Sequence, residues 1–264
     1  MPRDYSPFGG RRVNTADSGV PSRLLCAVRA PTKAGTTRFA LTAPKENGIL
    51  FCNFDRPLRD NVPDLAKLVG KAELIEMDCT NWLRGGAEDV QARAKKVVMN
   101  VKNAAHQAIK DGVSTVVIDK ATDLHDALPW AAFGAAEKVM RSGAKMWKDK
   151  TPQNTYWKNF LQPFKASNCK TNLVLVHRTK DEYVDDKPSG ETVPRGYEDI
   201  AYECTVNVEL LKDRTIEGPK KFKLVVTDCT FNTTIEGDEL SGKMVNFADL
   251  AMLIAPESEP EDWA

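Results

Sequence analysis

The segment RLLCAVR-APTKAGTT-RFAL, residues 23–41, carries the most information about the fold of this 264-residue sequence. Its first part, Arg23–Arg29, is a nearly continuous apolar run, which is typical of a buried strand in a parallel sheet. A tight loop and a short helix, Thr36–Leu41, follow it. A strand, a loop and a helix that begins at Gly-Thr-Thr predict a phosphate-binding loop, in which backbone N–H groups and the helix N-terminus cradle phosphate oxygens.

The loop departs from the full G-x-x-x-x-G-K-[ST] pattern at two of its four fixed positions. Ala30 stands at the first glycine and Thr36 stands at the lysine, whereas Gly35 and Thr37 retain the second glycine and the hydroxyl residue. Taken alone, the loop is also compatible with an ordinary turn between a strand and a helix.

Polar residues follow three other apolar runs in the sequence. The run that begins at Val113 ends in Asp119 and has the form of a Walker B strand, whose terminal carboxylate can hold Mg²⁺. Asp55 follows the run Gly48–Asn53, and His177 ends the run that begins at Thr171. Because the carboxyl ends of parallel strands meet at one edge of a sheet, we expect these side chains to lie close together.

The whole pattern predicts an α/β fold with a mostly parallel sheet that helices cover on both faces. The predicted parallel strands are Arg23–Arg29, Gly48–Asn53, Glu73–Met77, Ser114–Asp119 and Thr171–His177. The predicted helices are Thr36–Leu41, Val62–Leu68, Ala87–Lys110, Leu128–Met146 and Asn154–Ala166. We expect Asp181–Asp199 to be a long exposed loop, because it is polar and contains prolines and glycines. The predicted C-terminal antiparallel strands are Ala201–Leu211, Lys221–Phe231 and Thr233–Leu240.

Composition narrows the class of protein. Lys+Arg and Asp+Glu both total 37, which excludes a bulk basic nucleic-acid coat and an acidic disordered chaperone. No apolar run reaches the roughly 18 residues of a membrane span, and the first residues lack the apolar segment of a secretory signal. The six cysteines form no CxxC pair, so we interpret them as reduced core residues. These features predict a cytoplasmic protein.

Several segments occur in an order that resembles one known family. After the loop Ala30–Ala40, they are LFCNFD (50–55), TVVIDKATDL (115–124), LVLVHRTKDEY (173–183), IAYECTVNVELL (200–211) and KLVVTDCTF (223–231). Their order and spacing resemble the phage-encoded RecA-like P-loop ATPases of the AAA-domain type, which include the Sak-type single-strand annealing proteins. The resemblance extends over most of the chain, although no single motif is highly specific.

The resemblance implies a RecA-like P-loop NTPase domain at residues 22–254, between a flexible N-terminal arm (1–21) and an acidic C-terminal tail (255–264). It implies ATP and Mg²⁺ as cofactors, single-stranded DNA as a partner, a homo-oligomer and a role in phage DNA recombination or replication. Thr37 and Asp119 would bind Mg²⁺, Asp55 would orient or deprotonate the attacking water, and His177 would sense the γ-phosphate. The implied nucleotide-binding residues are Lys33, Ala34, Gly35, Thr36 and Thr37.

The missing lysine separates this chain from the family that it resembles. Thr36 cannot place a positive charge on the β- and γ-phosphate oxygens, so we expect ATP hydrolysis to be weakened or lost. Lys33, Arg38 or a neighbouring subunit could supply the charge instead. The alternative is a pseudo-ATPase that keeps the fold as a scaffold or interaction module and binds no nucleotide. An unrelated metabolic α/β enzyme with a pocket at the same sheet edge is a third hypothesis.

A basic and aromatic stretch could contact single-stranded DNA. Its candidate DNA-binding residues are Lys148, Lys150, Trp157 and Lys158. Cations that follow a DNA backbone, with bases stacked on indole rings, are a common way to bind a single strand. The alternative is a pair of helices whose lysines are solvated and whose tryptophans pack in the core.

Overall fold

A computed structural model describes residues 21–83, 89–134, 150–184, 187–259 and 263. The strands in these ranges are β1 Leu25–Ala30, β2 Ile49–Asn53, β3 Leu74–Asp78, β4 Thr115–Asp119, β5 Asn172–Val184, β6 Lys187–Pro194, β7 Val206–Lys212, β8 Phe222–Cys229 and β9 Glu239–Ser241. The α-helices are α1 Thr36–Ala40, α2 Leu58–Asn61, α3 Leu65–Val69, α4 Val90–Asp111, α5 Ala121–Phe133, α6 Thr151–Lys165, α7 Ile200–Glu203 and α8 Phe247–Ile254.

The strands form one mixed sheet in the order β3-β2-β4-β5-β1-β7-β8-β9, and β6 pairs with β5. The strands from β3 to β7 in this order are parallel, whereas β8 and β9 are antiparallel to their neighbours. Asn53 pairs with Asp119, Asp119 pairs with Val176, and Arg29 pairs with His177. This register aligns the carboxyl ends of β1, β2 and β4 with residues 176–178 of β5 at one edge of the sheet.

The sheet separates two apolar cores, and β1 contributes alternate residues to each. Cys26 and Val28 belong to the core that also contains Phe39 of α1 and Phe247 of α8. Leu25 and Ala27 face the other core, which is formed with α4, α5 and α6. The predicted α/β class, with a mostly parallel sheet, flanking helices and C-terminal antiparallel strands, is therefore confirmed.

The segment Asp181–Asp199 corrects the sequence-based prediction of a long loop. β5 continues to Val184, and β6 returns antiparallel to it, with Thr179 paired with Pro194. The sequence of this segment lacks the apolar alternation of a strand because the β5–β6 ribbon extends beyond the rest of the sheet. Backbone pairing and polar contacts hold the ribbon there. One such contact is the hydrogen bond from Thr192 Oγ1 to Glu209 Oε1, at 2.9 Å.

The bounds of several other helices and strands differ from the predicted bounds by a few residues or more. The helix predicted at Leu128–Met146 begins earlier, at Ala121, and ends at Phe133, with Gly134 as its C-cap. Residues 135–149 of the prediction lie outside the described ranges. The strand predicted from Ala201 begins at Val206, because Ile200–Glu203 forms a helical turn. The strand predicted at Thr233–Leu240 is a 3₁₀ turn followed by β9.

The chain termini are described only in part. The predicted arm lies outside the described residues except for Pro21. In the predicted acidic tail, Trp263 is buried, its ring centroid lies 6.5 Å from that of Phe247, and its Nε1 donates to Ser258 Oγ at 3.0 Å. The tail therefore packs against the core at this residue.

The six cysteines are all buried and free, in agreement with their interpretation as reduced core residues. No helix in the described part of the chain has both the length and the apolar character needed to cross a membrane.

Candidate functional site

A cavity of about 620 Å³ lies at the carboxyl edge of the parallel strands. The loop after β1 forms one wall, and residues that follow β2 and β4, together with residues 176–178 within β5, form the others. Five cationic residues line it, namely Lys33, Arg38, Arg56, Lys120 and Arg178. Asp55 is the carboxylate among its lining residues. The cavity is therefore suited to an anionic ligand.

The loop has the tight geometry expected of a strand followed at once by a helix. Gly35 has φ of +93°, a backbone conformation that favours glycine, and a Cβ atom built there would make an ordinary contact with the ring of Phe222, at 3.4 Å. Lys33 has φ of +66° at the loop apex and is exposed. Thr36 lines the cavity but adds no charge.

The loop and β4 are joined by a short hydrogen bond. Thr37 Oγ1 donates to Asp119 Oδ2 at 2.6 Å. Asp119 is 1% exposed, and its Oδ1 atom is buried without a hydrogen-bond partner among the described residues. Burial raises the pKa of Asp119 to about 6, although the hydrogen bond from Thr37 and the charge of Lys120 act in the opposite direction. A buried carboxylate oxygen without a partner is costly, and a cation would offset that cost.

The donor set at this point fits Mg²⁺. Thr37 and Asp119 offer a hydroxyl and a carboxylate, which are hard oxygen ligands. No cluster of three or more His, Cys, Asp or Glu side chains suited to a metal occurs within the described ranges. Mg²⁺ commonly binds through one or two protein oxygens together with substrate phosphates. The site is therefore suited to a metal that arrives with a phosphorylated ligand.

Asp55 and Lys120 form an ion pair across the ends of β2 and β4. Lys120 Nζ lies 2.5 Å from Asp55 Oδ2, and Arg56 N donates to Asp55 Oδ1 at 2.9 Å. Burial raises the pKa of Asp55, but the hydrogen bond and charge of Lys120, with the Arg56 N–H and the charge of Arg178, outweigh it and lower the pKa overall. A carboxylate with a lowered pKa is better suited to orient a water molecule than to remove its proton.

Two polar residues hold the turn that carries Asp55, and sequence reasoning missed both. Asn53 Oδ1 accepts from Asp55 N at 2.9 Å, and Asn53 Nδ2 donates to Glu76 Oε1 at 2.7 Å. Glu76 also accepts from Leu58 N at 2.9 Å, at the start of α2. The alternation of β3 would have revealed only that Glu76 lies on one face of a strand, not that it reaches the neighbouring turn.

His177 lies at the cavity but is almost fully buried. Its Nδ1 lies 3.5 Å from the carbonyl oxygen of Arg195, and its Nε2 has no partner among the described residues. Burial lowers the pKa of His177 to about 4, so the ring is neutral at pH 7. The nearby carbonyl favours the proton on Nδ1, which leaves Nε2 as an acceptor. In this tautomer Nε2 suits a water or hydroxyl, whereas a phosphate oxygen would need a donor.

A second cavity of about 610 Å³ lies on the other side of the loop and shares Gly35 and Arg38 with the first. Its lining includes the apolar side chains of Leu68, Phe222 and Val245. Lys221 Nζ lies 5.3 Å from the centroid of the Phe222 ring. The loop after β1 is thus flanked by one basic cavity and one more apolar cavity.

The candidate DNA-binding residues do not form one surface among the described residues. Lys148 lies outside the described ranges, Lys158 is exposed, and Lys150 is paired with Glu198. Trp157 is fully buried, its ring is stacked on Tyr197, and its Nε1 donates to His125 Nδ1 at 3.1 Å. This corrects the prediction for Trp157, because a buried indole offers no face to a base.

His125, the acceptor for Trp157, is a source of acid sensitivity because burial disfavours its charged form. Burial lowers the pKa of His125 to about 4, with Lys150, Lys180 and Arg195 acting in the same direction and Glu198 against them. This pKa is below the value of 6.5 in the unfolded chain. The contribution of neutral His125 to the free energy of unfolding is therefore complete above pH 6.5 and is lost as the pH falls towards 4.

We expect His125→Asn, which keeps an acceptor for Trp157, to reduce the stability lost between pH 7 and pH 4. A pKa of about 4 instead of 6.5 corresponds to about 3 kcal/mol. Urea denaturation at several pH values gives the free energy of unfolding of both proteins. The buried carboxyls contribute equally to the pH dependence of both proteins, so their contribution cancels in the difference. Identical pH profiles would contradict the prediction.

Comparisons with known proteins do not assign a family. No protein-family model matches the chain, and no curated protein matches it significantly. The geometry of the site and the order of the motifs are therefore the basis for its function.

Proposed function

We propose that this protein is a RecA-like P-loop protein of phage DNA recombination or replication that binds Mg-ATP at the carboxyl edge of its sheet. The observation that carries the proposal is the 2.6 Å hydrogen bond between Thr37 and Asp119. It joins the hydroxyl residue of the loop to the acid that ends β4, beside a cavity lined by five cations. These two residues occupy the positions to which the motif resemblance assigns Mg²⁺ binding.

The two cavities favour a nucleotide over free phosphate. The basic cavity suits a chain of phosphates, and the cavity beside Phe222 and Leu68 suits a flat, mainly apolar group. Gly35 and Arg38 belong to both cavities, so one ligand can extend from one to the other past the loop. A nucleoside triphosphate has both parts.

The residues at the edge have separable roles in this proposal. Bound Mg²⁺ would neutralise charge on the β- and γ-phosphate oxygens. Thr37 and Asp119 hold the metal, and the backbone of residues 33–37 contacts the phosphates. Asp55 orients water, held by Lys120 at 2.5 Å. Thr36 leaves the loop itself without a cation, so turnover is weakened or lost while binding through the other groups persists.

Single-stranded DNA binding and self-association belong to the same proposal and are supported by the motif resemblance. Among the candidate DNA-binding residues that the structure describes, Lys158 is an exposed cation, and it forms no ion pair with the described residues. RecA-like sites are completed across subunits, which would also bring further cations to the cavity. A scaffold that binds no nucleotide is the second candidate, favoured by the two substituted loop positions, Ala30 and Thr36.

Calorimetric titration of the natural chain with Mg-ATP, with and without single-stranded DNA, tests the proposal. We expect saturable binding of ATP that requires Mg²⁺. Mg-ADP and inorganic tripolyphosphate should compete with Mg-ATP, and adenosine alone should bind more weakly. Absence of binding to all of these ligands, both with and without DNA, would contradict the proposal and favour the scaffold.

A further inference from the structure

The substitution at Thr36 leaves open which residue places positive charge on the terminal phosphate of the proposed nucleotide. Five cations line the basic cavity, and their surroundings differ. Both ends of the Arg38 guanidinium bind the two oxygens of Asp64, at 2.5 and 2.7 Å, and the Arg38 side chain is 54% exposed. Arg178 is paired with Asp123 at 3.0 Å and is 45% exposed. Both arginines are therefore already engaged by carboxylates at the rim.

Lys33 and Arg56 form no ion pair among the described residues, but both are exposed. Lys33 lies at the loop apex, where φ is +66°. Binding a phosphate would order either long side chain and so cost side-chain entropy. No ion pair among the described residues orders these side chains beforehand. Neither is fixed in advance towards the ligand.

Lys120 differs from the other four in its enclosure and in its support. Its side chain is 22% exposed and directly follows Asp119, the proposed metal ligand. Three hydrogen bonds hold the backbone here: the Lys120 carbonyl oxygen accepts from Asp123 N at 3.0 Å and Leu124 N at 3.3 Å, and the preceding carbonyl accepts from Phe54 N at 2.6 Å. The ammonium therefore extends from a rigid strand end into the cavity.

The ion pair with Asp55 holds this ammonium in place and leaves it donors to spare. A lysine ammonium has three N–H donors, and Asp55 Oδ2 accepts one at 2.5 Å. We propose that Lys120 binds the terminal phosphate of the nucleotide and supplies the charge that Thr36 lacks, with Asp55 as the residue that positions it. This inference rests on the proposed nucleotide-binding function.

Calorimetry of Mg-ATP and Mg-ADP binding to Lys120→Met tests the inference. We expect the affinity for Mg-ATP to fall about tenfold, the size of a lost charge-assisted hydrogen bond, and the affinity for Mg-ADP to change much less. Lys120→Arg, which keeps the charge, should retain more of the preference for ATP. Lys110→Met, an exposed lysine in the last turn of α4, is the matched control and should change neither affinity.

The double variant Thr36→Lys/Lys120→Met shows whether a lost preference for ATP comes from the missing charge or from a structural change at position 120. If Lys120 replaces the loop lysine, adding a lysine at position 36 should restore most of the lost preference for ATP over ADP. An unchanged ATP-to-ADP ratio in Lys120→Met, in a protein whose natural form binds both, would overturn this inference and leave the proposed function standing. Absence of nucleotide binding by the natural chain, both with and without single-stranded DNA, would overturn both.

Discussion

Replacing Asp119 by asparagine is expected to lower the affinity for Mg-ATP by on the order of a hundredfold, because it removes the charged ligand proposed for the metal. The new amide would keep a carbonyl oxygen for the hydrogen bond from Thr37, now 2.6 Å long, so the loop should retain its position. Metal-free nucleotide binding should change much less. Calorimetric titrations with and without Mg²⁺ give both affinities.

The same substitution is expected to leave the fold intact and even to stabilise it by about 1 kcal/mol. Asp119 is buried, and one of its oxygens has no partner among the described residues, so its charge is a cost to the free protein. Thermal and urea unfolding measure this effect. Opposite changes in stability and in Mg-dependent affinity would show that the carboxylate is retained for binding.

Asp111→Asn is the matched control, because Asp111 is an exposed carboxylate at the end of α4 that accepts from Gln107 at 2.8 Å. It should change neither the stability nor the Mg-dependent affinity appreciably. Equal Mg-ATP affinity in Asp119→Asn and the natural chain would contradict the assignment of Asp119 as a metal ligand.

The sequence predicts the position of Asp119 well for a simple physical reason. A buried strand between two helices must be almost wholly apolar, so the first acidic residue after such a run marks the strand end. The same reasoning locates Asp55 and His177 at the edge. Their meeting follows from parallel pairing, and the register of Asn53 with Asp119 and of Asp119 with Val176 agrees with it.

The contact of Lys120 with Asp55 could not be predicted in this way. Its contact with Asp55 exists only because β2 and β4 are neighbours in register, although the residues are 65 positions apart in sequence. Glu76 is a comparable case, since it reaches Asn53 from the adjacent strand β3. Long-range polar contacts of this kind depend on sheet order, whereas hydrophobic periodicity reports only on each segment by itself.

The position of Trp157 also depended on long-range packing. Lysines at positions 150, 158 and 165, at the start of α6 and within it, are interspersed with aromatic residues, a pattern that fits either a nucleic-acid surface or a half-buried helix. The aromatic residues of α6 at positions 157, 160 and 164 follow a helical spacing and are fully buried. The periodicity of the apolar residues was therefore the more reliable signal.

Trp157→Ala is expected to lower the free energy of unfolding by about 4 kcal/mol, the usual cost of removing a fully buried large aromatic side chain. The indole is stacked on Tyr197 with centroids 6.0 Å apart, meets Phe160 edge to face at 5.7 Å and donates to His125. The truncation leaves a cavity and a buried histidine nitrogen without its donor. Urea unfolding monitored by circular dichroism measures the loss.

Two variants separate the parts of this effect and test the competing DNA role. Trp157→Phe keeps most of the ring and loses the N–H, so it should cost about 1–3 kcal/mol through the unpaired nitrogen of His125. Lys158→Ala, at the exposed neighbouring position, should stay within about 0.5 kcal/mol of the natural chain. Unchanged stability of Trp157→Ala together with weaker binding to single-stranded DNA would overturn the core assignment, because only an accessible indole could contribute to DNA binding without contributing to the fold.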